Sequence, residues 1–182
     1  MDVDGQGSAG LRVGVTGHRT FAEVAAVSAL VDDVLARLGD PGRVVTSLAE
    51  GADRLVARRA ARRPGWAHEV VLPLDPDDYE ADFVDPASVA EFRLLLASAV
   101  AVHQVPPAPT REDAYLAAWL AVLERSDALL AIWDGEEARG RGGTAEIVAA
   151  ARSRALPLTW VHVGRSVPVM PSCTQERWPW MP

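Results

Sequence analysis

Three short stretches of this chain set glycine beside side chains able to hold a phosphorylated ligand. The first is Thr16-Gly17-His18-Arg19, where an imidazole and a guanidinium follow a glycine. The second is Ser47-Leu48-Ala49-Glu50-Gly51-Ala52-Asp53-Arg54, with a hydroxyl, two carboxylates and an arginine around a glycine. The third runs from Trp133 to Glu146 (WDGEEARGRGGTAE). There Asp134 and Gly135 stop an apolar run, Gly140, Gly142 and Gly143 make a loop with little bulk, and Thr144 opens a helical pattern in Ile147, Val148 and Ala151. A strand passing through a glycine loop into a helix directs free backbone N–H groups, and the positive end of the helix dipole, at one spot. Such a spot suits a phosphate.

Individual side chains carry competing readings. Arg19 is either a phosphate clamp or a surface arginine; a cation opposes the dipole at a helix start, which favours the clamp. Asp53 reads equally as a cap of the helix it enters or as a ligand group. Asp134 lies at the mouth of a buried strand, where polar groups meet ligand in open α/β sheets. With Gly143 as N-cap, Glu146 is an N3 glutamate satisfying backbone donors; otherwise its charge could orient a ribose hydroxyl or support a developing oxocarbenium ion. Arg139 and Arg141 either pair with phosphates or solvate the loop. The candidate ligand-binding set is Gly17, His18, Arg19, Ser47, Glu50, Gly51, Asp53, Gly142, Gly143 and Thr144. Glu146 and Asp134 are the candidate catalytic carboxylates.

Other clusters read as structural. Arg54, Arg58, Arg59, Arg62 and Arg63 are spread around much of one helix, which describes a solvated face better than a nucleic-acid patch. Asp75, Asp77, Asp78, Glu80 and Asp82 lack calcium-loop spacing and fit a helix cap. His68, His103 and His162 show no paired-ligand spacing, and Cys173 is the single cysteine, so no metal site and no cofactor is expected. All 18 basic residues are arginine, which excludes a complete Walker A loop and any Schiff-base mechanism.

The elements that must position these stretches alternate between strand and helix. Residues 11–16 predict a first strand. Thr20 and Glu23 then form a T-x-x-E capping box for a helix whose apolar stripe is Val24, Val27, Leu30, Val31, Val34, Leu35 and Leu38, ended by Gly39 and Pro41. A strand over 43–47, a helix over 52–63 and a strand over 69–73 follow. Asp75 with Pro76, and Asp85 with Pro86, start two further helices. Residues 100–105 predict a strand, Thr110 with Asp113 caps another helix, and the wholly apolar 128–133 predicts a strand buried on both faces. A helix from Thr144 and a strand over 156–163 complete the pattern. Residues 1–10 read as a disordered leader and 164–182 as an irregular tail rich in proline and tryptophan.

Strands separated by helices of this length imply right-handed crossovers and a Rossmann-like, doubly wound, mostly parallel sheet with helices on both faces. The 182 residues, 49% of them hydrophobic, suit one domain over 11–163. The leader has neither the basic nor the apolar segment of a signal peptide and no run is long enough to span a bilayer, so a cytoplasmic protein without membrane contact is expected. A net charge of −7 makes nucleic acid an unfavoured partner; a homodimer is allowed but not demanded.

Together, VGVTGHR (13–19), SLAEGADRL (47–55) and DALLAIWDG with GGTAE resemble the SLOG superfamily. This Rossmann-like group includes the Lonely guy phosphoribohydrolases, the DNA-processing protein A fold and many sensors of nucleotide-derived ligands. SLAEGADRL is similar to the stretch opening the second helix in the sensor-like and DNA-processing branches, and GGTAE to the phosphate-contacting glycine motif. The hydrolases carry P-G-G-x-G-T-x-x-E. Here Arg141 precedes a contiguous Gly142-Gly143-Thr144, and Glu146 falls two residues after the threonine, with Ile147 at the third. The resemblance therefore implies a sensor or binding module for a nucleotide or nucleotide-derived phosphorylated ligand, with an N-glycosidic hydrolase of a nucleoside monophosphate as the alternative.

Overall fold

The computed structural model describes residues 10–137, 143–164 and 172–176. In chain order the elements are β1 Leu11–Gly17, α1 Val24–Leu38, β2 Gly42–Thr46, α2 Ala52–Arg62, β3 Trp66–Leu72, α3 Pro76–Glu80, α4 Pro86–Ser98, β4 Ala101–Gln104, α5 Arg111–Glu124, β5 Ala128–Trp133, α6 Thr144–Ser153, β6 Leu158–His162 and β7 Ser172–Glu176. Local chemistry explains several helix boundaries. Asp75 accepts from the Asp77 N–H, Asp85 from Ala87 and Thr110 from Asp113, so each short polar side chain satisfies a donor the helix start leaves open. Gly39 closes α1 at a φ of 79°, which a side chain would disfavour.

The strands form one sheet in the order β4-β3-β2-β1-β5-β6-β7. Pairings from β4 through to β6 are parallel, and β7 adds antiparallel to β6. This is a doubly wound, Rossmann-like α/β fold. The winding runs outward from β1 to β4, then returns to place β5 on the other side of β1. The carboxyl ends of β1 and β5 therefore flank the topological switch point, the place where open α/β sheets bind ligands.

The core covers both faces of the sheet. One cluster joins α1 and α2, through Val27, Val31, Val34, Leu35, Leu55 and Val56, to Val13, Val15, Leu130, Ile132 and Val161. On the other, Leu123 of α5 and Ile147, Val148 and Ala151 of α6 cover Leu129, Ala131 and Leu158. Every residue of β5 is buried, as its unbroken apolar run predicts.

Two expectations are corrected. The Thr20–Glu23 capping box does not form: Glu23, at a φ of 57°, is the N-cap of α1 and no side chain caps the helix. The Ala22 N–H donates instead to the Gly164 carbonyl over 3.1 Å, tying the segment after β1 to the end of β6 and drawing residues 20–22 off a helical path. The C-terminal stretch is not irregular throughout, since Ser172–Glu176 forms β7, a strand whose register depends on the exposed edge of β6. No helix among the described residues is long and apolar enough to cross a membrane.

Candidate functional site

The site assembles at the switch point from the ends of β1, β2 and β5. At the end of β1, Gly17 pairs with Ile132 of β5, and the His18 N–H donates to the Ile132 carbonyl over 3.0 Å. A Cβ on Gly17 would approach the Ile132 carbonyl oxygen and the Ala52 Cβ to 2.5 Å, so only glycine lets β1, β5 and α2 meet this closely. The loop after β2 docks on the same backbone. The Ala52 N–H donates to the His18 carbonyl over 3.1 Å, and Gly51, at a φ of 82°, lies where a Cβ would fall 2.3 Å from the carbonyl oxygens of both His18 and Arg19. The space beside these two glycines is filled by protein, which gives both a packing role.

From β5, Asp134 reaches His18. Its backbone N–H lies 3.1 Å from His18 Nε2 and its Oδ1 3.0 Å from the same nitrogen. A ring with Nε2 unprotonated accepts from the backbone; one protonated there donates to the carboxylate. In either state His18, 8% exposed, bridges the ends of β1 and β5.

The loop between β2 and α2 is held in one unusual conformation. Leu48 is fully buried at a φ of 56°, a region costing about 1–3 kcal/mol for a residue with a Cβ unless its surroundings impose it. Those surroundings are identifiable. Thr46 Oγ1 accepts from the Leu48 N–H over 3.1 Å, and Arg54 Nε donates to the Leu48 carbonyl over 2.9 Å. Asp53 Oδ2 accepts from Thr46 Oγ1 at 2.7 Å and from the Ser47 N–H at 3.1 Å. The first turn of α2 thus reaches back to lock the loop that precedes it. Burial pushes the Asp53 carboxyl up to about 6, the hydrogen bonds from Thr46, Ser47 and Ala49 and the charge of Arg54 opposing but not cancelling the desolvation. Asp53 is therefore a loop anchor and not the cap of α2, the first of its two sequence readings.

Two buried hydroxyls at this edge have no hydrogen-bond partner among the described residues: Thr16 Oγ1 at the end of β1 and Ser47 Oγ just past β2. Buried polar atoms left unpaired are uncommon and cost free energy that a ligand's polar group would recover.

At the end of β5, Gly143 is the N-cap of α6 at a φ of −72°, a value any residue adopts, and Thr144 and Glu146 belong to the first turn. Glu146 is exposed at N3, whereas Ile147 is 3% exposed and packed in the core. Gly142, with Arg139 and Arg141, lies outside the described residues. The structure thus brings Gly17, His18, Arg19, Ser47, Glu50, Gly51, Asp53 and Asp134 to one edge of the sheet.

Sequence reasoning missed Thr16, Thr46 and above all Arg54, which is 1% exposed. Besides Leu48, its Nη1 donates to the Ser88 carbonyl at 2.8 Å and to Ser88 Oγ at 2.7 Å, and its guanidinium lies 4.2 Å from the centre of the Phe83 ring. Its i+4 spacing from Glu50 was a signal, but its burial depends on α4. Three neighbouring arginines are engaged as well, Arg58 with Glu91, Arg59 with Asp32 and Arg63 with Asp40, while Arg62 is exposed. No group of three or more potential metal ligands occurs among the described residues. His68 bonds the Leu95 carbonyl at 2.8 Å and His162 stacks on Trp160.

No family model matches this chain, and no curated protein matches it significantly. Among solved structures, it is similar to the X-ray structure of DNA processing protein A (DprA) from Streptococcus pneumoniae, with a TM-score of 0.58 at 18% sequence identity. The match covers 82% of this chain and 49% of that one, so the chain spans about half the length of the protein it resembles. At this identity the likeness is one of fold: the chain has a DprA-like, Rossmann-type α/β architecture.

Proposed function

We propose that this protein binds a nucleotide or nucleotide-derived phosphorylated ligand at the switch point, as a sensor or binding module. The observation that carries the reading is the locked loop between β2 and α2. Thr46, Asp53 and Arg54 hold it in a strained conformation against the His18 carbonyl, and the buried Ser47 hydroxyl beside it has no partner among the described residues. Strain maintained by several independent bonds is characteristic of ligand sites. Beyond the Ala52 N–H, which the His18 carbonyl already takes, the next N–H groups of the first turn of α2 have no carbonyl within their own helix, which adds donors for an anion.

Binding is favoured over hydrolysis because a core isoleucine, Ile147, occupies the position where the hydrolase pattern carries its glutamate, while Glu146 sits as an exposed N3 residue. DNA-processing protein A is named for DNA. In this chain, however, three of the four arginines of α2 are engaged, Arg54 by burial and Arg58 and Arg59 by pairing with Glu91 and Asp32, which leaves only the exposed Arg62 on that helix to follow a phosphate backbone.

A thermal-shift screen against mononucleotides, dinucleotides, ribose 5-phosphate and an unstructured oligonucleotide tests the proposal. A ligand at a hundred times its dissociation constant should stabilise by about 2.7 kcal/mol. Ser47→Ala should weaken any hit. Silence across the nucleotides, or submicromolar binding of the oligonucleotide alone, would reject the reading.

A further inference from the structure

Between the start of α2 and α4 lies a cleft of about 440 Å³ lined by Glu50, Arg54, Asp85, Ala87, Ser88 and Glu91. It adjoins the switch-point site, because Glu50 immediately precedes the Gly51 that packs on His18 and Arg19.

The cleft has a built interior. Arg54 is held by the Leu48 and Ser88 carbonyls, the Ser88 hydroxyl and the Phe83 ring, yet its Nη2 is buried with no hydrogen-bond partner among the described residues. A buried N–H donor of a charged group left unpaired is costly, and an incoming oxygen would remove that cost. The Ser88 hydroxyl donates to Glu50 Oε1, which fixes the orientation of that carboxylate. Glu91 is turned toward Arg58 and lies 3.5 Å from Arg54 Nη1.

Charge selects the occupant. Three carboxylates and one guanidinium line the cleft, so a phosphate would meet net repulsion. A group that offers adjacent N–H donors to a carboxylate and one oxygen to Arg54 fits instead. Of the common bases, guanine presents this sequence along one edge: a carbonyl oxygen, a ring N–H and an exocyclic amine. Adenine offers a single amine beside a ring acceptor, and hypoxanthine lacks the amine.

We propose that the cleft is a base subsite for a guanine-type ring, with Arg54 Nη2 donating to the carbonyl oxygen and the Glu50 carboxylate accepting from the ring N–H and the amine. The proposal deepens the nucleotide reading and rests on it for the phosphate alone.

Titration calorimetry on the intact protein with guanosine, inosine and adenosine 5′-monophosphates, guanosine and ribose 5-phosphate tests it. The guanosine nucleotide should bind at least tenfold more tightly than the inosine nucleotide, and Glu50→Gln should erase that preference. Equal affinity for the three nucleotides would overturn the base subsite while leaving the nucleotide reading standing. Binding of guanosine that Glu50→Gln weakens, with no binding of ribose 5-phosphate, would support the subsite and sink the phosphate site. No binding by any probe overturns both. Should Glu50→Gln lose its cooperative unfolding transition, Ser88→Ala releases the carboxylate without changing its charge. Reduced discrimination there supports the subsite, and unchanged discrimination overturns it.

Discussion

Asp53 offers the sharpest test of how the switch-point loop is held. Its carboxyl is 1% exposed, and burial raises its pKa from 3.8 to about 6. A group whose folded pKa lies above its unfolded value contributes stability that is complete below the unfolded pKa and is lost as pH rises through the folded one. The window is therefore pH 4 to about 6. At about 1.4 kcal/mol per pH unit, the wild-type protein should lose about 3 kcal/mol from this group across that window. Asp53→Asn removes the titration. Its amide oxygen can still accept from Thr46 and Ser47, while its NH₂ would face the Ala49 N–H, a mismatch of about 1–3 kcal/mol that does not vary with pH. Urea unfolding of both proteins at half-unit steps from pH 4 to 7.5 gives the difference directly. Contributions common to both proteins, including that of Glu69, cancel. The wild-type advantage should shrink by about 3 kcal/mol from pH 4 to 6.5 and stay constant above. Parallel curves across the window would show that Asp53 is not buried as a costly charge, and would refute the account of the locked loop.

Three further outcomes are expected. Gly51→Ala should destabilise by about 2–4 kcal/mol in denaturant titration, because the Cβ meets two carbonyl oxygens at 2.3 Å and the φ of 82° disfavours it; a cost under 1 kcal/mol would mean the loop yields easily. Glu69, also 1% exposed, is held below the usual glutamate value: burial alone would raise it, but the hydrogen bond from Arg43 and the charges of Arg12 and Arg43 outweigh burial. Glu69→Gln should cost about 1–2 kcal/mol at pH 7, modest because both arginines are nearly half exposed, and the gap should close as pH falls from 4.5 through the lowered folded value; urea unfolding carried from pH 7 down to about pH 2 measures it. Glu146→Gln should leave nucleotide affinity unchanged within about twofold, since an N3 amide still accepts a hydrogen bond. Chromatography should detect no base release from a nucleoside monophosphate with either protein, and turnover that collapses in the variant would favour a hydrolase.

Local chemistry made much of the fold legible in the sequence. Alternation of short apolar runs with helical stripes specified the parallel α/β class, because helices of that length between strands allow few other connections. The strand Ala128–Trp133 follows from its composition, since six consecutive apolar residues suit only a strand covered on both faces. The caps at Asp75, Asp85 and Thr110 involve donors two or three residues away and need no tertiary context. Parallel strands leave their loops at one edge, so Gly17 and Gly51 could be placed together before any coordinates.

Tertiary structure decided what depends on residues far apart in the chain. The Thr20–Glu23 box is as good a local signal as Thr110–Asp113, yet it lost to a backbone bond between Ala22 and Gly164 that no window around residue 20 contains. Strand β7 exists because β6 presents a free edge, not because Ser172–Glu176 has a marked strand pattern. Arg54 lies in a run of arginines that periodicity assigns to solvent. Its burial required α4 to pack across the start of α2 and supply Ser88, Glu91 and Phe92, and the loop after α3 to supply Phe83. Asp53 could be read from sequence as cap or ligand group, but its partners, Thr46 and Ser47, were set by where β2 ends against α2. Periodicity reports which face of an element is apolar; only the packing of several elements determines which polar group is sealed beneath them, and with what partner.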